Sequence, residues 1–463
     1  MSSLNGSAGS ILPAVSESSQ PTEGKFKRVL SLWDLVIFGV AFVTPTAPYA
    51  MFGVATVKSN GHLPLVYLIA MAAMSLTAVS YGKMAAAFPE AGSTYSYASK
   101  SLNPIIGYFA GWGMILDYIL IPMLSIIFLG LTANKLVPQV PYSVWAVLSA
   151  VAITAVNLRG IEMTAKASSL MNFFMGLSLV WFILMATRAL MGGVGQGTLL
   201  SLKPFLNPET FSFPAVMGAT SIAVFSFIGF DGVTTLSEDA KNPKQDIGRA
   251  TVLVCFVCGG LFIIQSYLAQ MAWPDYRTFA PIETAFMDIS RLVGGEALFY
   301  FISFVLVVAG VSSAITGQAS ASRLLYGLGR DRLLPHRIFG YIHPKLGTPV
   351  YSVLLMGGIQ LVGAMLLKFG EAAELVNFGA FIGFMLVNLS AIRHHFFRLG
   401  KRGVAGLVLN LVLPTLGCGF CFYIWLNLSG QSLKLGAAWM LAGLLYLIYL
   451  TRAFRRKLVE LRW

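Results

Sequence analysis

Long runs of apolar residues alternate with short polar connections along almost the whole chain. A run of about 20 such residues is long enough for a helix to cross a bilayer, and the pattern predicts twelve spans. Their centres lie near residues 44, 74, 116, 150, 179, 225, 261, 309, 358, 383, 416 and 443. We therefore predict an all-α polytopic membrane protein.

The connections between the spans are too short to hold a soluble domain. The longest cover residues 192–212 and 273–295 on the predicted outside and 327–348 on the predicted inside. We expect the 273–295 connection to form a short helix packed over the extracellular mouth.

Composition supports a membrane protein. Hydrophobic residues make up 56% of the 463 residues, charged residues only 11%, and the mean hydropathy is +0.74. A soluble domain carries roughly 25% charged residues, so this chain has too few polar side chains to cover a globule.

The net charge of +13 does not indicate nucleic-acid binding, because the basic residues follow the predicted topology. All but eight of the 32 Lys and Arg residues fall on one side of the membrane, and this asymmetry places that side and both termini in the cytoplasm. The basic stretch Arg455-Arg-Lys457 is interpreted as a contact with anionic lipid headgroups.

These patterns divide the chain into three parts. Residues 1–24, rich in Ser, Gly and Pro, are predicted to be a disordered cytoplasmic leader without a cleavable signal peptide. Residues 25–455 form the twelve-helix domain, and residues 453–463 form a basic cytoplasmic tail.

The sixth predicted span holds a carboxylate, Asp231, between Gly229 and Gly232. An acid at membrane depth is costly and usually faces a bundle interior or a water-filled path. Glycines tolerate non-helical backbone, which membranes permit only where it is buried or lines a cavity. The combination indicates a small-molecule site, and therefore a transporter.

Other kinds of chemistry are not indicated. Cys255-x-x-Cys258 and Cys418-x-x-Cys421 resemble zinc-ligand spacing, but both pairs lie in apolar spans without acidic or His neighbours, so we interpret them as packing residues. His394-His395 at a predicted helix end is interpreted as interfacial. No catalytic grouping or Walker A sequence occurs, so we predict no enzyme activity, no metal and no cofactor.

Three segments resemble signatures of the amino acid–polyamine–organocation transporter superfamily. Phe88-Pro-Glu-Ala-Gly-Ser-Thr-Tyr-Ser-Tyr97 is similar to FPxAGxxYxY. Phe227-Ile-Gly-Phe-Asp231, with Glu238 and Asn242-Pro-Lys244, is similar to GFD…E…NP(K/R). Ser322 to Pro335 is similar to SRxxYxxxRDxxLP. Within the superfamily the chain looks closest to bacterial putrescine importers, through segments 80–83, 116–118, 234–238, 339–345 and 376–380.

The resemblance implies a leucine-transporter-like fold of two inverted five-helix repeats, about residues 30–192 and 213–397, followed by two extra helices at about 403–452. Spans 1 and 6 would be the broken helices, and both contain interruptions, Thr44-Pro-Thr-Ala-Pro-Tyr49 and Gly229-Phe-Asp-Gly232. Paired interruptions point to a transporter binding site, although Pro and Gly also kink ordinary membrane helices. The predicted substrate-binding residues are Thr44, Pro45, Thr46, Ala47, Tyr49, Ala50, Tyr118, Phe225, Ile228, Gly229 and Asp231.

The substrate class stays open between a polyamine, a monoamine and an amino acid. Putrescine importers carry an aspartate where this sequence has Ala50, and many amino-acid carriers have a Gly-Ser-Gly-like first span that this chain lacks. All three classes of substrate carry at least one amine, and Asp231 is the predicted counter-charge of that amine.

The coupling ion is predicted to be a proton, with sodium as the alternative. Proton-coupled relatives place a lysine midway along span 5, where this chain has Met175, while Lys166 falls nearer the cytoplasmic entrance and is interpreted as a positive-inside residue. Candidate proton carriers are Asp117, Asp231 and Glu238. Ser312 and Ser313 are candidate sodium ligands, or hydroxyls bonded back to their own helix.

The expected function is a secondary active importer of an amine-bearing solute in a bacterial inner membrane, in contact with lipid and with no nucleic-acid partner. The alternatives are a sodium-coupled or exchange-type amino-acid carrier and, from another class, a channel or a sensor. Oligomeric state is not predicted.

Overall fold

A computed structural model of the chain describes residues 30–89, 93–160, 165–237, 240–330 and 334–451. Regular structure within these ranges is helical, apart from one isolated bridge between Leu30 and Ala240. The predicted all-α membrane fold is confirmed.

The helices begin with α1 (Leu32–Val43), α2 (Ala47–Lys58), α3 (Leu63–Ala87), α4 (Ser93–Ser101), α5 (Pro104–Leu136), α6 (Tyr142–Leu158), α7 (Ala165–Met191) and α8 (Phe213–Ala223). They continue with α9 (Pro243–Ala272), α10 (Ala285–Arg330), α11 (His336–Phe339), α12 (Val350–Leu366), α13 (Phe369–Ala391), α14 (Val404–Leu407), α15 (Leu413–Leu426) and α16 (Gly430–Leu450). Short 3-10 helices cover Val224–Phe227, Phe230–Leu236, Tyr276–Thr278 and Ile282–Thr284, and π-helical turns cover Ile392–Arg398 and Val408–Val412.

Nine helical segments in the described ranges are long and apolar enough to cross a membrane, and the bent pair α1–α2 makes a tenth. Helices α6 and α12 are apolar but only 17 residues long, about 25 Å, which is less than the roughly 30 Å of a hydrocarbon core. Every predicted centre lies in one of these elements or at the break between α1 and α2.

We number these elements as spans. Span 1 is α1 with α2, spans 2–5 are α3, α5, α6 and α7, and span 6 is α8 with the two 3-10 helices that follow it. Spans 7–10 are α9, α10, α12 and α13, span 11 runs from α14 through α15, and span 12 is α16.

Spans that the family resemblance pairs across two repeats pack on each other. Helix α2 packs against α8, α3 against α9, α5 against α10, and α6 against α12. These contacts join span 1 to 6, 2 to 7, 3 to 8 and 4 to 9. The two interrupted spans are therefore neighbours in the bundle.

The two ends of the bundle differ in the connections that they carry. The end with the 192–212 and 273–295 connections is called the outer face, because the charge distribution predicts it to be extracellular. The end with Leu30 and the 334–349 connection is called the inner face.

The 273–295 connection lies over the outer end of span 1. It forms two 3-10 turns and the first turns of α10, before an interruption at Gly295 (φ 69°, ψ −167°). A Cβ added to Gly53 of α2 would meet the Ile282 carbonyl oxygen at 1.8 Å, so the two backbones are in close contact. The connection therefore forms short helical turns, as predicted, and its position over an extracellular mouth stays a prediction.

This connection contributes two rings to a buried cluster, the outer aromatic cluster, which is made of Tyr49, Phe52, Phe182, Phe279 and Phe286. Tyr49 stacks on Phe286 with ring centroids 4.0 Å apart, and Phe182 lies 4.6 Å from Phe286. These rings join span 1 to span 5 and to the 273–295 segment, and they fill the space between the outer face and the break in span 1.

Candidate substrate and coupling site

The break in span 1 follows from its sequence. Helix α1 begins at a capping box formed by Ser31 and Asp34 and ends at Thr44, which has a positive φ of 67°, uncommon for a residue other than glycine. The chain restarts at Ala47 with Pro48 in the first turn of α2, where proline is favoured. The two helices are bent by 52°.

The break in span 6 depends on a glycine. Helix α8 gives way to the 3-10 turn Val224–Phe227, then extended Ile228 (ψ 131°) and Gly229 (φ 112°), before Phe230–Leu236. A Cβ on Gly229 would lie 2.8 Å from Phe42 Cδ1 and 3.2 Å from the Phe42 carbonyl oxygen. Glycine is therefore required here both by its φ and by the close approach of span 1.

The inner halves of the two broken spans form one packed unit. The Phe42 ring lies against Gly229 and also against Gly232, whose added Cβ would be 2.8 Å from Phe42 Cε1. Further down, the Lys241 N–H donates to the Leu30 carbonyl at 2.9 Å. Span 1 therefore packs on the break in span 6, and the residues that flank the two inner halves are joined by a hydrogen bond.

Asp231 is half-buried and lies one residue after the start of the second 3-10 helix of span 6. The backbone N–H groups of Gly229, Asp231 and Gly232 lie near its carboxylate, and the Gly232 N–H donates to the Gly229 carbonyl at 2.9 Å. The break therefore places backbone N–H groups beside its own acid, which is the arrangement expected for a negative charge at a helix N-terminus.

Asp117 of α5 is the second carboxylate of the site. Its side chain is 7% exposed, its Oδ1 has no hydrogen-bond partner among the described residues, and it is close enough to Asp231 for the two charges to repel each other. Tyr81 and the half-exposed Tyr118 lie within electrostatic range of both acids. No basic side chain in the described part of the chain pairs with either carboxylate.

The remaining predicted binding residues fall into two groups. Thr44, Pro45, Ala47, Ala50, Phe225 and Ile228 are half-buried around the two breaks, whereas Thr46 and Tyr49 are buried. Tyr49 belongs to the outer aromatic cluster, where its ring stacks on Phe286.

The other coupling candidates do not form a group with this pair of acids among the described residues. Glu238 lies outside the described residues, and so does the Lys166 side chain. Met175 is buried in α7. Ser312 and Ser313 follow each other in α10, but Ser312 is buried and Ser313 is exposed, so the two hydroxyls point to different surroundings.

Three polar side chains that the sequence analysis did not select, those of Tyr67, Gln265 and Asn377, form hydrogen bonds with residues at or beside the two breaks. Gln265 of α9 donates to the Pro45 carbonyl at 3.0 Å, and Asn377 of α13 donates to the Ser221 carbonyl at 2.5 Å. The Tyr67 and Ser226 hydroxyls are 3.2 Å apart. Interrupted membrane helices need such partners, and a Gln or Asn within an apolar span is the signal that would have found two of them.

The cysteines are free thiols within helices. Cys255 and Cys258 are buried in α9, and Cys421 Sγ lies 3.4 Å from Thr77 Oγ1. The described residues contain no group of three or more His, Cys, Asp and Glu that could hold a metal ion.

The fold and the site together define a multi-pass membrane transporter with two adjacent broken spans. The sequence matches the amino acid permease family over residues 34–435, and the chain belongs to that family, within the amino acid–polyamine–organocation superfamily. The resemblance stated from the sequence is confirmed, and the family consists of permeases rather than enzymes.

Individual relatives are similar over nearly their whole length. The chain is 33% identical over 432 residues to the low-affinity putrescine importer PlaP of Escherichia coli K12, covering 93% of this chain and 95% of the relative. It is 25% identical over 459 residues to the branched-chain amino acid permease BcaP of Bacillus subtilis, covering 92% and 94%. It is 24% identical over 466 residues to the methylthioribose transporter of Bacillus subtilis, covering 94% and 96%.

Proposed function

We propose that this protein is a secondary active importer of a small amine-bearing solute, coupled to protons, in a bacterial inner membrane with both termini in the cytoplasm. The observation that carries the proposal is the pair formed by Asp117 of α5 and Asp231 at the break in span 6, with no basic partner among the described residues. Charges at membrane depth are normally paired. A substrate ammonium or a proton supplies the missing positive charge.

The breaks favour an ammonium over a carboxylate. Among residues 45–49, Pro45 and Pro48 have no N–H, the Ala47 N–H donates to the Thr44 carbonyl, and the Tyr49 N–H donates to the Thr46 carbonyl. Only the Thr46 N–H is left for a ligand. At span 6 the Ile228 and Gly232 N–H groups donate to backbone carbonyls, and those of Gly229 and Asp231 lie near the Asp231 carboxylate. Neither break therefore offers the row of backbone donors that an amino-acid carboxylate would use.

The relatives support the same range of solutes. PlaP is a putrescine importer and BcaP a branched-chain amino acid permease, so amines with and without a carboxylate occur among them. A sodium-coupled or exchange-type amino-acid carrier is the alternative.

The presence of Asp117 and the lack of an acid at Ala50 lead to opposite expectations for the transport of diamines. If Asp117 binds a second ammonium, putrescine competes well for uptake and Asp117→Asn weakens putrescine more than a monoamine. If the missing acid at Ala50 determines the substrate preference, the wild type prefers a monoamine or amino acid. Ala50→Asp then improves competition by putrescine. The gain is at most a few kcal/mol, because desolvation offsets much of an ion pair's attraction.

Uptake assays in proteoliposomes test the function, the coupling ion and the class of substrate. Uptake of a labelled solute is measured with imposed proton and sodium gradients, in competition with putrescine, cadaverine, a monoamine and neutral amino acids. We expect stimulation by an inward proton gradient and competition by amines. If no solute of the panel is taken up faster in a gradient, the importer hypothesis is refuted. Stimulation by a sodium gradient alone would favour sodium coupling.

The proposal also assigns a state to the structure. The outer aromatic cluster is buried above the break, whereas Asp231, Thr44 and Tyr118 keep accessible surface. We infer a conformation that is closed to the outer face.

A further inference from the structure

A group of basic residues gathers at the inner face, where spans 2, 10 and 11 meet. Lys83, near the end of α3, donates from Nζ to the Leu409 carbonyl and to Asn410 Oδ1, the latter at 2.7 Å. Asn410 in turn donates from Nδ2 to the Lys401 carbonyl at 3.1 Å. Lys83 is therefore held against span 11 and the connection that precedes it.

Both neighbouring helices leave regular α geometry at this place. Span 10 continues as the π-helical turn Ile392–Arg398, span 11 contains the π-helical turn Val408–Val412, and the two turns pack on each other. Such turns are rare and often mark functional sites. Here the second turn contains Leu409, whose carbonyl accepts from Lys83.

Arg398 of the first π-turn and Lys401 of the connection lie near Lys83, beside His394 and His395, and we call Lys83, Arg398 and Lys401 the inner cationic cluster. Lys401 acts electrostatically on Lys83, His394 and His395, and Arg398 acts on His394. Every charge that acts on these three side chains is basic, and no ion pair joins the cluster to an acid within the described residues. From Leu375 to Thr451 the sequence contains no Asp or Glu.

Exposed apolar side chains border the cluster. Phe397 is 59% exposed and Val404 85%, and Leu407, Val408 and Leu409 are exposed along the start of span 11. A basic group next to an apolar surface at a membrane boundary matches an amphiphile with an anionic head better than it matches a free anion.

We propose that the inner cationic cluster binds the phosphate group of an anionic phospholipid, with the acyl chains lying on the exposed side chains of span 11. The third hydrogen of the Lys83 ammonium and the side chains of Lys401 and Arg398 supply the positive charge. The bound lipid would join spans 2, 10 and 11 at the inner face. The cluster belongs to other elements than the two breaks, so this inference does not depend on the identity of the transported solute.

Native mass spectrometry of the purified full-length protein tests the proposal. Phosphatidylglycerol and phosphatidylcholine with identical acyl chains are titrated, and retention is compared for the wild type, Lys83→Gln, Lys401→Gln and the double variant. We expect the wild type to retain phosphatidylglycerol preferentially, with a loss of about fivefold for each charge removed. Lys434→Gln, an exposed basic residue at the outer end of span 12, is the matched control and should change nothing.

Equal retention of the two lipids by the wild type, or an undiminished preference in the double variant, would overturn the proposal. Lys401 lies in an exposed connection, so Lys401→Gln carries the test if Lys83→Gln does not fold. Inorganic phosphate should not displace the lipid, and displacement at millimolar concentration would show that a free anion is the ligand instead.

Discussion

The outer face and the inner half of this molecule differ in whether their charged side chains are paired. The three ion pairs between described residues, Lys58–Glu374, Lys135–Asp288 and Arg291–Glu296, all lie at the outer face. In the inner half, the acids Asp117 and Asp231 have no basic partner, and the inner cationic cluster has no acidic one, within the described ranges.

The difference separates charges that hold the protein together from charges left for ligands. At the outer face, acids and bases neutralise each other and aromatic rings fill the space beneath them. At the breaks and at the inner cationic cluster, the chain presents one sign of charge only. Charges at membrane depth are costly when unpaired, so we assign the negative pair to a substrate ammonium or a proton and the positive group to lipid phosphate.

The largest effect is expected from removing the centre of the outer aromatic cluster. Phe286→Ala deletes a ring that contacts Tyr49, Phe52 and Phe182, and a buried Phe→Ala change costs about 3–5 kcal/mol. The melting temperature in detergent should fall markedly, and the site should open toward the outer face.

Thiol labelling checks that opening. In a Cys418→Ser background, a cysteine replacing Ala50 should react with an impermeant reagent added to the outer face only when Phe286 is Ala. Equal labelling with and without Phe286 would show that the cluster does not close this path.

The next largest effect is expected at Gly229. Gly229→Ala must adopt a φ of 112° and meet Phe42, and backbone strain of this kind costs about 1–3 kcal/mol. Uptake should fall at least tenfold, with lower thermal stability. Gly260→Ala in α9, where a Cβ meets nothing within 4 Å, is the control and should be neutral or slightly stabilising.

Adding Phe42→Ala sharpens this test. Phe42→Ala removes the contact with the ring but leaves the strain of the positive φ at position 229. The double variant Gly229→Ala with Phe42→Ala should therefore recover only part of the stability that Gly229→Ala loses. Full activity in Gly229→Ala alone would contradict the requirement for glycine at this break.

A smaller effect is expected at the outer ion pair between α2 and α13. Glu374 is almost completely buried and also accepts from the Ser429 N–H at 2.8 Å, while the Lys58 side chain is 33% exposed. Glu374→Gln should therefore cost about 1–3 kcal/mol, less than breaking a fully buried pair. Glu296→Gln removes the exposed pair with Arg291 and should cost under about 1 kcal/mol, so equal effects in melting experiments would contradict the distinction.

Much of the fold could be predicted from the sequence, because bilayer thickness imposes long apolar runs and because Pro and Gly mark interruptions. The spans, the two breaks and the helical turns at 273–295 follow from these local signals. The start of the non-α segment at Val224 carries no Pro or Gly, and its early onset depends on partners such as Tyr67 and Asn377 from other spans.

The charge arrangement could be predicted only in part. Asp231 stands out as an acid beside glycines, but the approach of Asp117 depends on how α5 packs against span 6. The Lys58–Glu374 pair joins residues 316 positions apart. The short spans 4 and 9 also differ from the 20 residues expected, because helices packed within a bundle need not each match the bilayer thickness.

The most direct test of the central claim is saturable uptake of a labelled amine by proteoliposomes containing the wild type or Asp231→Asn at equal protein abundance. Asn keeps the shape of the side chain and can still accept hydrogen bonds from the break, so folding should be retained. Losing the counter-charge of a desolvated ammonium should reduce uptake about 100-fold or more. Uptake by Asp231→Asn at the wild-type rate would show that Asp231 only stabilises the break, and would contradict its assignment to substrate or proton.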